Sequence, residues 1–352
     1  MGTTTDDTTW MRRALELAAL GPAVDPNPRV GCVVVAPGPD GQPEVVGEGW
    51  HRGAGTAHAE VGALEAAGDR AKGATAYVTL EPCSHTGRTG PCTERLLAAG
   101  IARVIHAASD PGAASGGGGD VLRAACVQVE HGVLEDEALE LVRDWHIATT
   151  LGRPRVTWKY AATLDGRLAA TDGTSRWITG PAARAEVGRE RARHGAVLTS
   201  TGTALADDPH LTARAAAGTL LPHQPLRVVM GERPLPAGAR VLDDAAPSLR
   251  LQTRDVHAAL AALHEREVRS VWLECGPDLA AAFWRAGCVD DVVAYVAPAL
   301  LGTGAAAVGD LGITTIADAH RLITRAVRQV GDDVRIDLRV ERPTHPTSCE
   351  EQ

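Results

Sequence analysis

The chain has 352 residues, 44% hydrophobic and 22% charged, with a formal net charge of −9. That length exceeds the usual single core and argues for two domains, and no run approaches the ~20 uninterrupted apolar residues of a membrane span. The whole charge excess lies in residues 1–147 and aromatics are only 3% of the chain, so a polyanion is poorly held and a flipped base poorly stacked; nucleic-acid editing is disfavoured, and a small soluble substrate is expected.

The N-terminus lacks a basic region followed by an apolar one, so no signal peptide is expected. Seven cysteines, an odd number, fit a reducing cytoplasm better than a disulfide framework. Cys32, Cys126, Cys275 and Cys288 lie in or beside apolar runs as core fillers, and Cys349 is in a polar tail. Between Trp10 and Leu20 the positions Met11, Ala14, Leu15, Ala18 and Ala19 recur at helical spacing, and Gly21-Pro22 ends the helix. In Asp25-Pro26-Asn27-Pro28 two prolines fix the backbone around Asn27; the segment is either a rigid mount for an amide facing a pyrimidine edge or an ordinary turn before a strand. β-rich runs over 30–35 and 45–50 flank a hairpin-like connection. A helix over 59–67, a strand over 75–80, a helix over 93–99, a strand over 103–107 and a last helix and strand within 121–130 make this half a three-layer α/β domain. Gly116 to Gly119 reads as a flexible surface insertion.

The chemistry is concentrated in His58-Ala59-Glu60 and in Glu81-Pro82-Cys83 followed by Cys92. One imidazole and two thiolates supply three of zinc's four tetrahedral positions, leaving the fourth for water. Glu60, two residues after the histidine, is then a proton shuttle that does not bind the metal. The helix opening at Ala59 and the strand ending at Leu80 are the setting this pattern requires. Eight residues separate the cysteines where the shorter signature has two. The intervening Ser84, His85, Thr86, Gly87, Arg88 and Thr89 suit a phosphate, with Arg88 either its partner or a solvated charge.

A helix over 135–149 carries the chain to Gly152-Arg153-Pro154, which sets domains of 1–147 and 148–352. Strands over 156–162, 196–200, 227–230, 271–274 and 292–296 alternate with helices over 181–193, 256–266 and 279–286, and β runs over 325–330 and 334–340 close a mixed sheet. No Gly-x-Gly-x-x-Gly follows a strand, so the usual Rossmann signature is missing. Glu274-Cys275-Gly276-Pro277 instead joins a strand end to a helix start, as a pyrophosphate site or a plain turn. Lys159 is one of two lysines among 35 Lys and Arg residues and lies on an apolar strand. Its ammonium can give up a proton as an arginine cannot, so it is either a proton carrier or half of an ion pair.

Taken in order, Pro26-Asn27-Pro28, Gly47-Glu48-Gly49-Trp50-His51, His58-Ala59-Glu60 and Glu81-Pro82-Cys83-Ser84-His85 resemble the pyrimidine deaminase of riboflavin biosynthesis. Lys159-Tyr160-Ala161-Ala162-Thr163-Leu164-Asp165-Gly166-Arg167, Ser175-Arg176-Trp177-Ile178-Thr179, Leu205-Ala206-Asp207-Asp208-Pro209 and Glu274-Cys275-Gly276-Pro277 look like the reductase domain fused to it. The resemblance covers roughly residues 10 to 341 and identifies the bifunctional deaminase and reductase family of that pathway. It implies a cytidine-deaminase-like domain followed by a dihydrofolate-reductase-like domain. It also implies zinc and NADPH as cofactors, a phosphorylated pyrimidine as substrate, and two steps, hydrolytic loss of an amino group and reduction of a ribosyl side chain to ribityl. Carried over residue by residue, it implies His58, Cys83 and Cys92 as zinc ligands, Glu60, Lys159 and Glu274 as catalytic groups, and Asn27, His51 and Arg88 as substrate contacts in the first half. In the second half it implies NADPH contacts from Ala161, Trp177, Thr203, Asp207, Gly276, Pro277, Asp278, Leu279, Ala280, Ala281 and Ala282. Substrate contacts there are Ser175, Arg191, Leu211, Arg214 and Glu274, with Arg191 and Arg214 as bidentate phosphate partners. A homo-oligomer is compatible with the pattern.

Two departures stand out. Asp110-Pro111-Gly112-Ala113 replaces the family's common Asp-Pro-Asn-Pro, and Gly231-Glu232 stands where an aspartate and a small polar residue are common near the cofactor. A carboxylate there repels a 2′-phosphate. That conflict sustains a rival reading, a deaminase whose second half is a non-catalytic nucleotide-sensing module.

Overall fold

The computed structural model describes residues 5–85 and 90–341, so Arg88 and Cys349 lie outside the described residues. The chain divides into two units, Met1–Arg153 and Pro154–Gln352, six residues past the 147/148 division because the last helix of the first unit runs to Leu151.

In the first unit, α1 (Thr5–Ala18) precedes the hairpin β1 (Gly31–Pro37) and β2 (Pro43–Trp50), then α2 (Ala59–Ala67), β3 (Thr75–Leu80), α3 (Cys92–Ala98), β4 (Arg103–Ala108), α4 (Gly118–Ala124), β5 (Gln128–His131), α5 (Glu135–Leu141) and α6 (Arg143–Leu151). Its sheet has the order β2-β1-β3-β4-β5, with the last three strands parallel. Alternation along β1 decides the layers. Cys32, Val34 and Ala36 meet Ala59, Ala63, Leu96 and Leu122 of α2, α3 and α4 on one face. Val33 and Val35 meet Met11, Ala14 and Ala138 of α1 and α5 on the other. Each fully buried valine or leucine in these layers contributes roughly 1.5–3 kcal/mol. The backbone of α2 lies against Gly47 and Gly49 of β2; a Cβ on Gly49 would stand 2.2 Å from the Ala59 carbonyl, which seats the N-terminal end of α2 directly on the sheet.

Two sequence expectations fail here. The glycine run is no surface insertion: Gly118 and Gly119 are buried and open α4. A Cβ on Gly118 would lie 1.8 Å from the Pro82 carbonyl, so the run is the surface against which the Glu81-Pro82-Cys83 loop packs. The single helix over 135–149 is two helices, because Val142 leaves helical dihedrals (φ −103, ψ 16) and buries its side chain.

The second unit contains β6 (Arg155–Thr163), β7 (Arg167–Ala169), α7 (Pro181–Arg191), β8 (Ala196–Ser200), α8 (Thr201–Asp207), β9 (Leu226–Met230), β10 (Ser248–Leu251), α9 (Val256–His264), β11 (Ser270–Glu274), α10 (Pro277–Arg285), β12 (Asp291–Ala297), β13 (Ala305–Ala306), β14 (Leu322–Val330) and β15 (Asp333–Val340). Eight strands form one sheet in the order β10-β9-β8-β11-β6-β12-β15-β14. The first six are parallel and the last two antiparallel. Ala196 and Leu198 of β8 face α9 and α10, while Val197 faces α7 and α8, so this sheet too is covered on both sides. The short α8 was not legible by periodicity; its signal is the Ser200 hydroxyl, which accepts from the Thr203 N–H at 3.0 Å as an N-cap.

A charge network fastens α7 to the sheet. Glu186 accepts from Arg335 and Arg328 at 2.7 Å and from the Tyr295 hydroxyl at 2.8 Å. Burial works against its charge, but these donors outweigh it and hold its pKa at about 2. A depressed carboxylate stabilises the fold fully above its ordinary value of 4.5 and loses that contribution as pH falls toward 2. Glu186→Gln is therefore expected to lower stability at pH 7 and to flatten the loss of stability between pH 4.5 and 2, read from urea midpoints across that range; an unchanged acid profile would show that other carboxylates carry it.

Candidate active sites

In the first unit the packing of α2 on β2 places His58 at the N-cap of the helix. Cys83 lies in the loop after β3, and Cys92 is the first residue of α3. The His58 Nδ1 is 3.2 Å from the Cys92 Sγ and 3.6 Å from the Cys83 Sγ, and the three donor atoms lie within 4.8 Å of one another. Hydrogen bonding from Cys92, helped by His58, pushes the Cys83 thiol down to about 4, while its bond with Cys83 and burial push the Cys92 thiol up. Two sulfurs contending for one proton beside an imidazole are relieved by a divalent cation, and one nitrogen and two sulfurs are a fitting donor set for zinc with one position open.

Glu60, in the first turn of α2, is 4% exposed, and desolvation raises its pKa. A carboxyl with a raised pKa beside the metal ligands can both take and return a proton. Asn27 is held by His51 in a defined sense. The His51 ring donates from Nδ1 to the Ala57 carbonyl at 3.1 Å, and the Asn27 amide nitrogen donates to its Nε2 at 3.1 Å. The Asn27 carbonyl oxygen is thereby left as an acceptor. The His51 ring also stands edge-on to that of His58, centroids 5.5 Å apart. Asp25, which the sequence did not single out, makes the mount, accepting from the N–H groups of Asn27 at 2.9 Å and Ala54 at 3.0 Å. Glu81 was missed as well; it accepts from the Gly119 N–H at 2.8 Å and the Asp110 N–H at 3.2 Å, tying the metal loop to α4 and β4.

In the second unit Lys159 and Glu274 are register neighbours on the parallel strands β6 and β11. Arg191, the last residue of α7, donates to both Glu274 oxygens, from Nε at 2.6 Å and Nη2 at 2.8 Å, and from Nη1 to the Thr212 carbonyl at 3.1 Å. The bidentate phosphate clasp expected of Arg191 is thus occupied by a carboxylate in this arrangement. Arg214 is engaged differently, from Nε to the Thr212 hydroxyl at 2.7 Å and from Nη1 to the Gly218 carbonyl at 3.1 Å. Glu274 also accepts from the Trp272 indole at 2.8 Å, a partner the sequence did not reveal. Burial raises the cost of its charge, but Arg191 and Lys159 prevail and hold its pKa at about 2. Desolvation lowers the pKa of Lys159.

Gly276 caps α10, and its N–H donates to the Thr203 hydroxyl at 3.2 Å, which brings the two expected cofactor segments together. Ala280 and Ala281, in contrast, turn into the core with 0% and 2% exposure. Leu211 is likewise a core residue, at 3%, so its side chain does not line the site. Trp177 is exposed, with the Arg184 guanidinium 4.7 Å and that of Arg176 5.8 Å from its ring centroid. Arg176 also pairs with Asp207 at 3.8 Å. Ala161 lies on β6, and Ser175 sits partly exposed before Trp177.

The zinc-binding region of cytidine and deoxycytidylate deaminases matches residues 4–108, and the RibD C-terminal domain matches residues 154–336. The riboflavin biosynthesis protein RibD of Mycobacterium tuberculosis strain H37Rv is 47% identical, over 89% of this chain and 91% of that protein. The chain belongs to the RibD family. The RibD of Escherichia coli K12 is 41% identical over 94% of this chain and 99% of its own. Acinetobacter baumannii RibD superimposes with a TM-score of 0.85 at 38% identity, covering 96% of this chain and 99% of that one. A Thermotoga maritima protein described as a diaminohydroxyphosphoribosylaminopyrimidine deaminase and 5-amino-6-(5-phosphoribosylamino)uracil reductase does so at 0.81 and 33%, covering 95% and 98%.

As a RibD, the chain is a bifunctional deaminase and reductase of riboflavin biosynthesis, using zinc and NADPH. Its cytidine-deaminase-like and dihydrofolate-reductase-like α/β folds agree with the layers described above. Among the described residues no helix is long and apolar enough to cross a membrane. Purified RibD of this sequence should carry about one zinc per chain, and Cys83→Ser or Cys92→Ser should lose both the metal and ammonia release; metal analysis finding an active, zinc-free protein would remove the site. Gly118→Ala is a subtler test. Its Cβ has no room against Pro82, so stability should fall by about 1–3 kcal/mol and zinc should leave more readily to a chelator.

Proposed function

We propose that the first unit hydrolyses the amino group of diaminohydroxyphosphoribosylaminopyrimidine and that the second reduces the ribosyl side chain of the resulting 5-amino-6-(5-phosphoribosylamino)uracil to ribityl. The observation that carries this reading is the pairing, in one chain, of a largely buried His58, Cys83, Cys92 and Glu60 cluster with a Lys159, Arg191 and Glu274 cluster around the end of β11 in a second sheet. The substrate names are those of the reactions for which the Thermotoga maritima relative is named.

For the deaminase, His58, Cys83 and Cys92 would hold zinc, which when bound supplies Lewis acidity and acidifies water. Asn27, with its amide sense set by His51, offers its carbonyl oxygen to an N–H on the pyrimidine edge. Glu60 takes one proton from the attacking water and gives it to the ring nitrogen, then takes the proton left on the new hydroxyl and gives it to the departing amine, so that the ring carbon ends as a carbonyl. A C–O bond forms, the C–N bond breaks, and ammonia leaves. The raised pKa of Glu60 brings its proton affinity nearer to that task.

For the reductase, the turn at Gly276 would receive the pyrophosphate of NADPH, which supplies the hydride when bound. Lys159, whose desolvated ammonium gives up its proton readily, protonates the ribosyl ring oxygen as the ring opens, and Glu274 stays a carboxylate under the fork of Arg191. With Arg191 committed to Glu274, Arg214 is the group left for the phosphate, joined by Ser175. The sensing-module alternative rested on Glu232, whose carboxylate is instead 3.2 Å from the Arg254 Nε. A small phosphorylated pyrimidine as partner, no nucleic acid, a cytoplasmic location and a homo-oligomer complete the reading.

The test is to assay both half-reactions on each variant. Glu60→Gln should keep zinc while ammonia release falls roughly 10²-fold or more, and it should still reduce the deaminated intermediate. Lys159→Met should do the converse. Loss of both activities in a folded, zinc-replete Lys159→Met chain would defeat the assignment of one step to each unit, and a fully active Glu60→Gln would mean another group moves the proton.

A further inference from the structure

The departure at Gly231-Glu232 becomes a site once its neighbours are placed. The parallel strands β11, β8, β9 and β10 end side by side: Gly276 just after β11 bonds to Thr203, Thr203 to the Ser200 hydroxyl at the end of β8 at 3.1 Å, Ser200 is in register with Met230 of β9, and Met230 with Leu251 of β10. At about 4.8 Å per strand, the end of β9 lies roughly 10 Å from that of β11, a nucleoside's reach from a pyrophosphate at Gly276. Each of the two outer strands is followed within three residues by an arginine, Arg233 after β9 and Arg254 after β10.

Local packing fixes the arginine after β9. Gly231 has φ +132, and a Cβ there would stand 2.5 Å from the Thr201 hydroxyl, so the residue type common in the family does not fit here. The Arg250 Nη2 donates to the Arg233 carbonyl at 2.9 Å and pins the turn. The Arg233 guanidinium extends over the first turn of α8, its Nη2 2.9 Å from where a Cβ on Gly202 would be. Arg233 is exposed. Glu232 is paired with Arg254, so three guanidiniums stand against one carboxylate and the local balance favours an anion.

We infer that Arg233, with Arg254 beside it masking Glu232, is the site for the 2′-phosphate of NADPH and makes this enzyme select NADPH over NADH. The inference rests on the reductase reading and assigns specificity to arginines that flank the Gly231-Glu232 departure. The phosphomonoester would lie on the guanidinium of Arg233 in place of water; no bond forms or breaks.

Equilibrium titration of the full, zinc-replete chain with NADPH and with NADH, read by nucleotide fluorescence, tests it. The wild type is expected to bind NADPH at least about tenfold more tightly, a preference that shrinks between about 0.05 and 0.5 M salt as exposed charges are screened. Arg233→Ala should weaken NADPH roughly tenfold and leave NADH within about twofold, with Arg233→Lys between them. Arg254→Ala should weaken NADPH alone by exposing the charge of Glu232. Zinc content and the unfolding midpoint confirm that each variant is folded. Equal loss for both nucleotides, or no loss for NADPH, in Arg233→Ala overturns the inference while leaving the reductase reading intact. A wild type that binds neither nucleotide overturns both.

Discussion

Parallel strands that are buried on both faces show most of their polar chemistry toward where they end. In each unit the interior of the sheet is given over to Val, Ile, Leu and Ala, and crossover helices cover both faces, so charged groups are driven to the carboxyl edge. Glu81 follows β3, Asp110 follows β4, and Glu274 ends β11 beside the ends of β8 and β9. The two sites differ in chemistry because different loops leave the same kind of edge. In the first, the edge is joined by the N-terminal end of α2, brought in by its close seating on Gly49. In the second, it is joined by the last residue of α7, a helix that the Glu186 network fixes to the sheet from its middle.

Much of this was legible in the chain. The helix over 59–67 and the strands over 75–80 and 196–200 have the bounds that apolar patterning indicated, because their periodicity is uninterrupted and their ends are marked by His58, Leu80 and Ser200. The zinc cluster was legible because metal chemistry restricts both residue type and spacing. What could not be read depends on contacts between residues far apart in sequence. The burial of Gly118 follows from the Pro82 carbonyl, 36 positions earlier, and the break at Val142 follows from the core beneath it. That the fork of Arg191 is taken by Glu274, 83 positions away, is invisible to a motif, which records that an arginine is present and not what it already holds.

The pair is also an instance of a general electrostatic choice. The side chains of Arg191 and Glu274 keep only 20% and 14% of their surface, so neither charge is well hydrated, and either one alone would be costly. Bidentate bonds from Arg191 and a third from Trp272 meet that cost without adding a further carboxylate. Lys159 beside them then gives the cluster two cationic side chains to one anionic, and the cluster is complementary to a ligand that brings negative charge of its own.

Trp272 turns that arrangement into something observable. Its indole is 1% exposed, and its N–H is held by the carboxylate at the centre of the cluster. The emission of a buried indole responds to the electric field along its ring, and here Glu274, with Arg191 bound to it and Lys159 in register beside it, contributes to that field. Among the seven tryptophans of the chain, Trp272 donates directly to Glu274, so its share of the protein's own fluorescence reports on the charge around the reductase site without any added label.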